Sequence, residues 1–422
     1  MLDARRGRIA PIERERSTWS GLRLPRSPAP AERSERTGHL GGMKSNRDSA
    51  SSSGPLGAIA TVQKAAAVAV ATGIPTILWG EPGIGKSAWT RSFAERHGIH
   101  LETVIASIRE PTDFSGLPIV SPEGTVRLAA PDWAARLVDN GNGLLFLDEV
   151  STAAPAVQAA LLRVVLDRVV GDVVLPERVK ILAAANPAES ASGGWDLTPP
   201  LANRFCHLHW PVDAAGIAQG FLSGWSEPEI MLVPVGWTEE VRLHQAIIGA
   251  FLERMPGNAH ARPAERSRSG MAWPSPRTWT YAARLMAACA AIDVGTEVCD
   301  LLVAGCVGDG AGAELSHWLE DQDLPDPKKV LADPQGFAVP DRGDRAYTLA
   351  RSVVAIATTG SRASKRTWEA AWRVLERIAV TTGADVVVPP ASDLARCSTY
   401  QTYAPPAEAG SLFSTMRAAG ML

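Results

Sequence analysis

Gly80-Glu81-Pro82-Gly83-Ile84-Gly85-Lys86-Ser87 decides the reading of this 422-residue chain. The pattern Gly-x-x-x-x-Gly-Lys-Ser needs its glycines because backbone N–H groups must turn inward around phosphate oxygens. Lys86 supplies a point charge for β- and γ-phosphates, and Ser87 a hydroxyl for Mg²⁺. The stretch follows Pro75-Thr-Ile-Leu-Trp79, an apolar run that reads as a buried strand. It opens a helical pattern from Lys86 to His97, with Gly98 as its stop. Strand, loop and helix is the context in which this motif holds phosphate, because the new helix adds the positive end of its dipole.

Working outward, a helical run from Ala58 to Thr72 precedes the first strand. Leu101–Ala106, Leu144–Leu147, Val179–Ala184 and Phe205–Trp210 read as four more strands. Helical patterns separate them, which calls for crossover connections and a mostly parallel α/β sheet. Two short hairpins interrupt the plan. Ile119–Arg127 turns at Ser-Pro-Glu-Gly, and Val169–Val174 turns at Gly-Asp. Beyond Asp213 helical periodicity takes over: Ala214–Gly224, Thr238–Met255, Pro276–Asp293, Thr296–Val307, Arg345–Thr358 and Thr367–Thr382. Asp321–Asp344, rich in Asp, Pro and Gly, reads as an internal connector. The expected organisation is a tail over 1–54, a nucleotide-binding core over 55–213, a helical lid over 214–320, and a linker with a helical extension over 321–422.

The chemistry needs a carboxylate for the metal and a group that activates water. Leu144-Leu-Phe-Leu-Asp-Glu149 supplies both. Asp148 is expected in the Mg²⁺ shell, and Glu149 as general base. The plainer reading, an acidic pair capping a helix at Ser151, loses weight beside the loop. Asn186 ends the fourth strand. Ligands of open α/β sheets bind beyond the carboxyl ends of strands, so Gly80, Asp148 and Asn186 share one edge, and Asn186 is placed to bridge water and γ-phosphate. Arg204, just before the fifth strand, lies at the amino edge and faces away from its own nucleotide. That position suits an arginine offered to a neighbouring subunit in a closed ring. Arg277 follows Pro276 at a helix start, where a cation opposes the dipole. An anion relieves that conflict, and the γ-phosphate is the candidate.

Together these elements resemble AAA+ ATPases, in particular the MoxR-like branch related to dynein-type modules. The resemblance rests on Gly80–Ser87 (Walker A), Leu144–Glu149 (Walker B), Asn186 (sensor 1), Arg204 (arginine finger) and Arg277 (sensor 2). The stretches 110–118 and 167–177 look like that branch's segment after strand 2 and its hairpin before sensor 1. It covers roughly residues 56–290. It implies a P-loop core with a five-stranded sheet in the order 5-1-4-3-2, a helical lid, ATP and Mg²⁺, and hexameric rings that remodel other proteins. A von Willebrand factor A-type protein is the partner it suggests. The motor subunit of a metal chelatase is the alternative, and a nucleic-acid motor a weaker one, because the tip Ser121–Gly124 has no Lys or Arg.

Composition bounds the rest. A net charge of −3 with 45% hydrophobic and 21% charged residues is ordinary for globular chains. It argues against a basic nucleic-acid-coating surface. Five scattered cysteines suggest a reducing compartment. With no secretory pattern and no long apolar span, the expectation is a soluble cytoplasmic protein. The tail carries eleven Lys/Arg against six Asp/Glu. It reads as a disordered leader, with a nucleic-acid arm as the other option and Met43 as a second possible start. Trp79, Trp89, Trp368 and Trp372 read as core. His207 and His209 are not expected to bind metal.

Overall fold

In the computed structural model, the described residues are 55–187, 195–264, 270–359, 363–400, 403, 406–418 and 420. The expected tail, with Met43, lies outside them. Nine strands follow in chain order: β1 Thr76–Trp79, β2 Leu101–Ile105, β3 Leu117–Val120, β4 Val126–Ala129, β5 Gly143–Asp148, β6 Val169–Val170, β7 Val173–Val174, β8 Val179–Ala185 and β9 Cys206–His209. Five form one sheet in the order β2-β5-β8-β1-β9, and all its pairings are parallel. Counted among sheet strands only and read from β9, that is the expected 5-1-4-3-2.

The inner strands β5, β8 and β1 are mostly apolar and buried on both faces, whereas the edge strand β2 leaves Thr103 and Ile105 exposed. Their side chains alternate between two cores. Leu78, Leu144, Phe146, Leu182, Ala184 and Leu208 pack with residues of the helices Pro55–Thr72, Pro276–Ile292 and Thr296–Val307. Ile77, Leu145, Leu147, Ile181 and Ala183 pack instead with residues of Asp132–Asn140 and Pro155–Asp167.

Both hairpins form, and they brace each other. The Asp172 carboxylate in the β6–β7 turn accepts the Leu128 N–H at 2.8 Å, and the Asp172 N–H donates to Leu128 O at 3.0 Å. Gly116 and Gly171 make this possible. A Cβ on Gly116 would lie 2.6 Å from Gly171 Cα, and one on Gly171 would lie 2.5 Å from Leu128 O. The β3–β4 hairpin leaves Leu117, Ile119, Val120 and Val126 exposed.

The helical half holds more helix than the periodicity predicts. Asp309–Gln322, Pro327–Ala332, Ala384–Arg396 and Gly410–Ala418 are additional. Asp321–Asp344 is not a bare connector: it contains Pro327–Ala332, capped by Asp326, with Val330 buried. Leu315 and Trp318 belong to the first core, whereas a third core takes in Val330, Val353, Trp368, Trp372, Leu375, Leu394 and Met416. No helix among the described residues is long and apolar enough to cross a membrane.

Candidate nucleotide site

The loop from Gly80 to Gly85 joins β1 to the helix Lys86–Arg96. Its glycines serve different needs. Gly83 and Gly85 have φ of 79° and 99° with open space around them, so backbone conformation alone requires glycine there. At Gly80 the reason is space: a Cβ would sit 2.9 Å from Trp210 O. Gly85 offers no side-chain cap, so the first N–H groups of the helix stay available to an anion.

Lys86 is 6% exposed, and its ammonium donates to Gly80 O at 2.5 Å, Glu81 O at 2.9 Å and Asn186 Oδ1 at 3.1 Å. Burial lowers its pKa, while the charges of Asp148 and Glu81 oppose that shift. Ser87 Oγ donates to Asp148 Oδ2 at 2.7 Å. A hydroxyl paired with a carboxylate beside a phosphate loop is a donor set that fits Mg²⁺. Glu149 follows in the left-handed region, φ 55°, an uncommon conformation for a residue with a side chain. This turns an exposed carboxylate outward from the end of β5.

Sequence reasoning missed two serines that set this geometry. Ser107, just beyond β2, donates to the Glu149 carboxylate. Ser151 is buried and grips the backbone of Asn186 twice: it accepts the Asn186 N–H at 3.1 Å and donates to the Asn186 carbonyl at 3.0 Å. The plainer reading, an acidic pair capping a helix at Ser151, meets only a 3₁₀ turn, Val150–Thr152, whose N-cap Glu149 makes no side-chain cap hydrogen bond; the turn holds Ser151. Its position two residues after Glu149 was the only available signal. Beneath the loop, Trp79 Nε1–H donates to His207 Nδ1 at 2.9 Å, and His207 Nε2 pairs with Ala202 O at 2.9 Å. Burial lowers the His207 pKa to about 4, so this histidine is a neutral core residue joining β1 to β9.

Lys86 with Asn186 and Ser87 with Asp148 thus form two neighbouring hydrogen-bonded pairs at the carboxyl edge, with Glu149 beside them. Arg204 lies before β9 at the opposite edge, where its guanidinium donates to Pro200 O and its Nε is buried without a partner among the described residues. Arg277 lies beside Asn203 and Arg204. Its Nη1 lies 3.3 Å from Asn203 Oδ1, and its charge lowers the Arg204 pKa, second to burial. The cause is local. Ser275 Oγ, which caps the Pro276–Ile292 helix, also donates to Asn203 Oδ1 at 3.0 Å and so ties the helix start to the residue preceding Arg204.

Fold and site define a P-loop α/β nucleotide-binding protein. Residues 75–205 match the family model of the AAA domain (dynein-related subfamily), and that part of the chain is such a domain. The resemblance drawn from the motifs is borne out to that extent: the chain carries the core of an AAA+ ATPase. Among solved structures, a candidate ATPase from Cytophaga hutchinsonii is similar at 18% identity and TM-score 0.42, over 63% of this chain and 91% of that one. A full-length MCM homolog from Methanopyrus kandleri gives 16% and 0.32, over 60% and 56%. No curated protein matches the chain.

Proposed function

We propose that the chain is a Mg²⁺-dependent, MoxR-like ATPase that works as a head-to-tail ring, hexameric in its family's manner, and remodels a protein partner in the cytoplasm. The observation that carries this reading is the split of the charged groups. Lys86, Ser87, Asp148, Glu149 and Asn186 gather at one sheet edge, and Arg204 and Arg277 at the other. A subunit so built holds its own triphosphate and presents two guanidinium groups to the next one, and head-to-tail contacts that close make a ring.

In this reading Lys86 and the loop N–H groups hold the β- and γ-phosphates. Ser87 and Asp148 hold Mg²⁺, which supplies charge neutralisation across the phosphates. Glu149 accepts the proton of the attacking water, and Asn186, fixed by Ser151, orients that water against the γ-phosphate. Arg204 and Arg277 stabilise the developing charge on the neighbour's phosphate. A protein client is favoured over nucleic acid because the β3–β4 hairpin exposes Leu117, Ile119, Val120 and Val126. A von Willebrand factor A-type protein is the partner class the resemblance suggests.

Glu149→Gln tests the chemistry. Turnover is expected to fall about a hundredfold or more, with ATP binding kept. Unaltered turnover overturns the assignment.

A further inference from the structure

Arg204 and Arg277 are not alone at the amino edge. Lys180 is the second residue of β8, and Arg168 closes the helix Pro155–Asp167 with φ 59°. Arg284 lies seven positions after Arg277 on the Pro276–Ile292 helix, hence on the same face two turns along. Electrostatic coupling links them in sequence: Arg277 with Arg204, then Arg168 and Arg284 with Lys180. The carboxylates that oppose this group are Asp167 near Arg204 and Glu177 near Arg168 and Lys180. Five cations thus stand against two acids.

Three of the other cations already serve the fold. Arg168 donates to Pro176 O at 2.6 Å, Arg284 donates to Thr72 O at 3.0 Å, and Arg277 reaches Asn203. Lys180 does not. Its ammonium makes no hydrogen bond or ion pair among the described residues, and it packs so close to Gly73 that a Cβ there would lie 3.0 Å from Nζ. A half-buried ammonium that feels the charges of Arg168 and Arg284 against that of Glu177 alone is poorly placed in an isolated subunit, and it improves when an anion arrives. The opposite edge of the same chain has the opposite character, with Glu81, Glu110 and Glu149 exposed and Asp113 half-buried.

We infer that Lys180 is an assembly residue: backed by Arg168 and Arg284, it receives the acidic rim around the P-loop of a second copy of this chain, with Glu110 as the principal carboxylate. This rests on the head-to-tail reading above and adds to it a contact that selects the neighbour by charge rather than by nucleotide. Lys180 therefore controls how readily subunits join, while Arg204 controls what the joined site does.

The test is sedimentation velocity of the full chain across protein concentration, in ATP and Mg²⁺, with Glu149→Gln as background to hold the nucleotide. Lys180→Met is expected to raise the concentration for half-assembly about tenfold, the effect of one charge contact between partners. Dilute-protein ATP affinity and thermal midpoint should stay at the parent's values. Lys180→Arg should assemble like the parent, and Glu110→Lys should weaken assembly as Lys180→Met does. Superimposable assembly curves for the parent and Lys180→Met overturn the inference. So does a lowered thermal midpoint accompanying the assembly defect, which marks a structural lysine. A parent that stays monomeric in ATP at every concentration overturns the ring itself, a distinct result.

Discussion

Lys86 Nζ lies 3.1 Å from Asn186 Oδ1, and this hydrogen bond ties the end of β8 to the loop that follows β1. In the proposed mechanism Asn186 is then a partner of Lys86 as well as of the attacking water. Asn186→Ala is expected to lower kcat about a hundredfold, the scale of losing one preorganised polar group. ATP affinity should change by less than about threefold, because Lys86 keeps two carbonyl acceptors and the loop keeps its N–H groups. Steady-state kinetics with a fluorescent-nucleotide titration separates the two. Equal losses in binding and turnover would contradict the assigned role.

Ser107 restrains Glu149. The Ser107 hydroxyl occupies a carboxylate oxygen that is otherwise open to the attacking water. Ser107→Ala should therefore raise basal turnover about fivefold, equivalent to one hydrogen bond of about 1 kcal/mol. A fall in kcat would mean that Ser107 aims Glu149 rather than holding it back.

His207 makes stability depend on pH. Its folded pKa of about 4 lies below the ordinary 6.5, so the unfolded chain binds the extra proton between these values. Stability is thus fully present above pH 6.5 and declines as pH falls towards 4, by up to ~3 kcal/mol from this group. Thermal midpoints measured from pH 7.5 to 4.5 should drop more steeply for the wild type than for His207→Gln. Parallel curves would sink the assignment.

Much of this was legible because the chemistry is local in sequence. Gly80–Ser87 and Asp148-Glu149 are contiguous, and each strand is an apolar run between turn residues. The serines were not legible: Ser107 and Ser151 meet Glu149 and Asn186 only after the strands align, 42 and 35 positions apart. Arg277 was placed by its own helix start, whereas Asn203, 74 positions away, decides where it sits. In the helical half, Pro389 and Pro390 conceal the helix Ala384–Arg396, and Gly310 and Gly312 conceal Asp309–Gln322.

Gly312 shows why a residue read as a breaker can build a helix pair. A Cβ there would lie 2.9 Å from Ala304 Cα in the Thr296–Val307 helix. Alanine at this site gains about 1 kcal/mol in helix propensity, but overpacking costs about 1–3 kcal/mol. Gly312→Ala should thus lower the thermal midpoint, whereas the open Gly310→Ala should raise it slightly. A rise for both in calorimetry would refute the close approach.

The central claim is that a complete site needs two subunits, and mixing tests it most directly. Glu149→Gln lacks the base but keeps both arginines, while Arg204→Ala keeps the base but offers its neighbour no finger. Each alone should hydrolyse ATP at no more than about 1% of the wild-type rate. Mixed at equal concentrations in ATP and Mg²⁺, they should recover a substantial fraction of wild-type turnover, because an Arg204→Ala site then meets the arginine of a Glu149→Gln neighbour. A mixture no more active than the sum of its parts, or an Arg204→Ala protein active alone, would contradict the account.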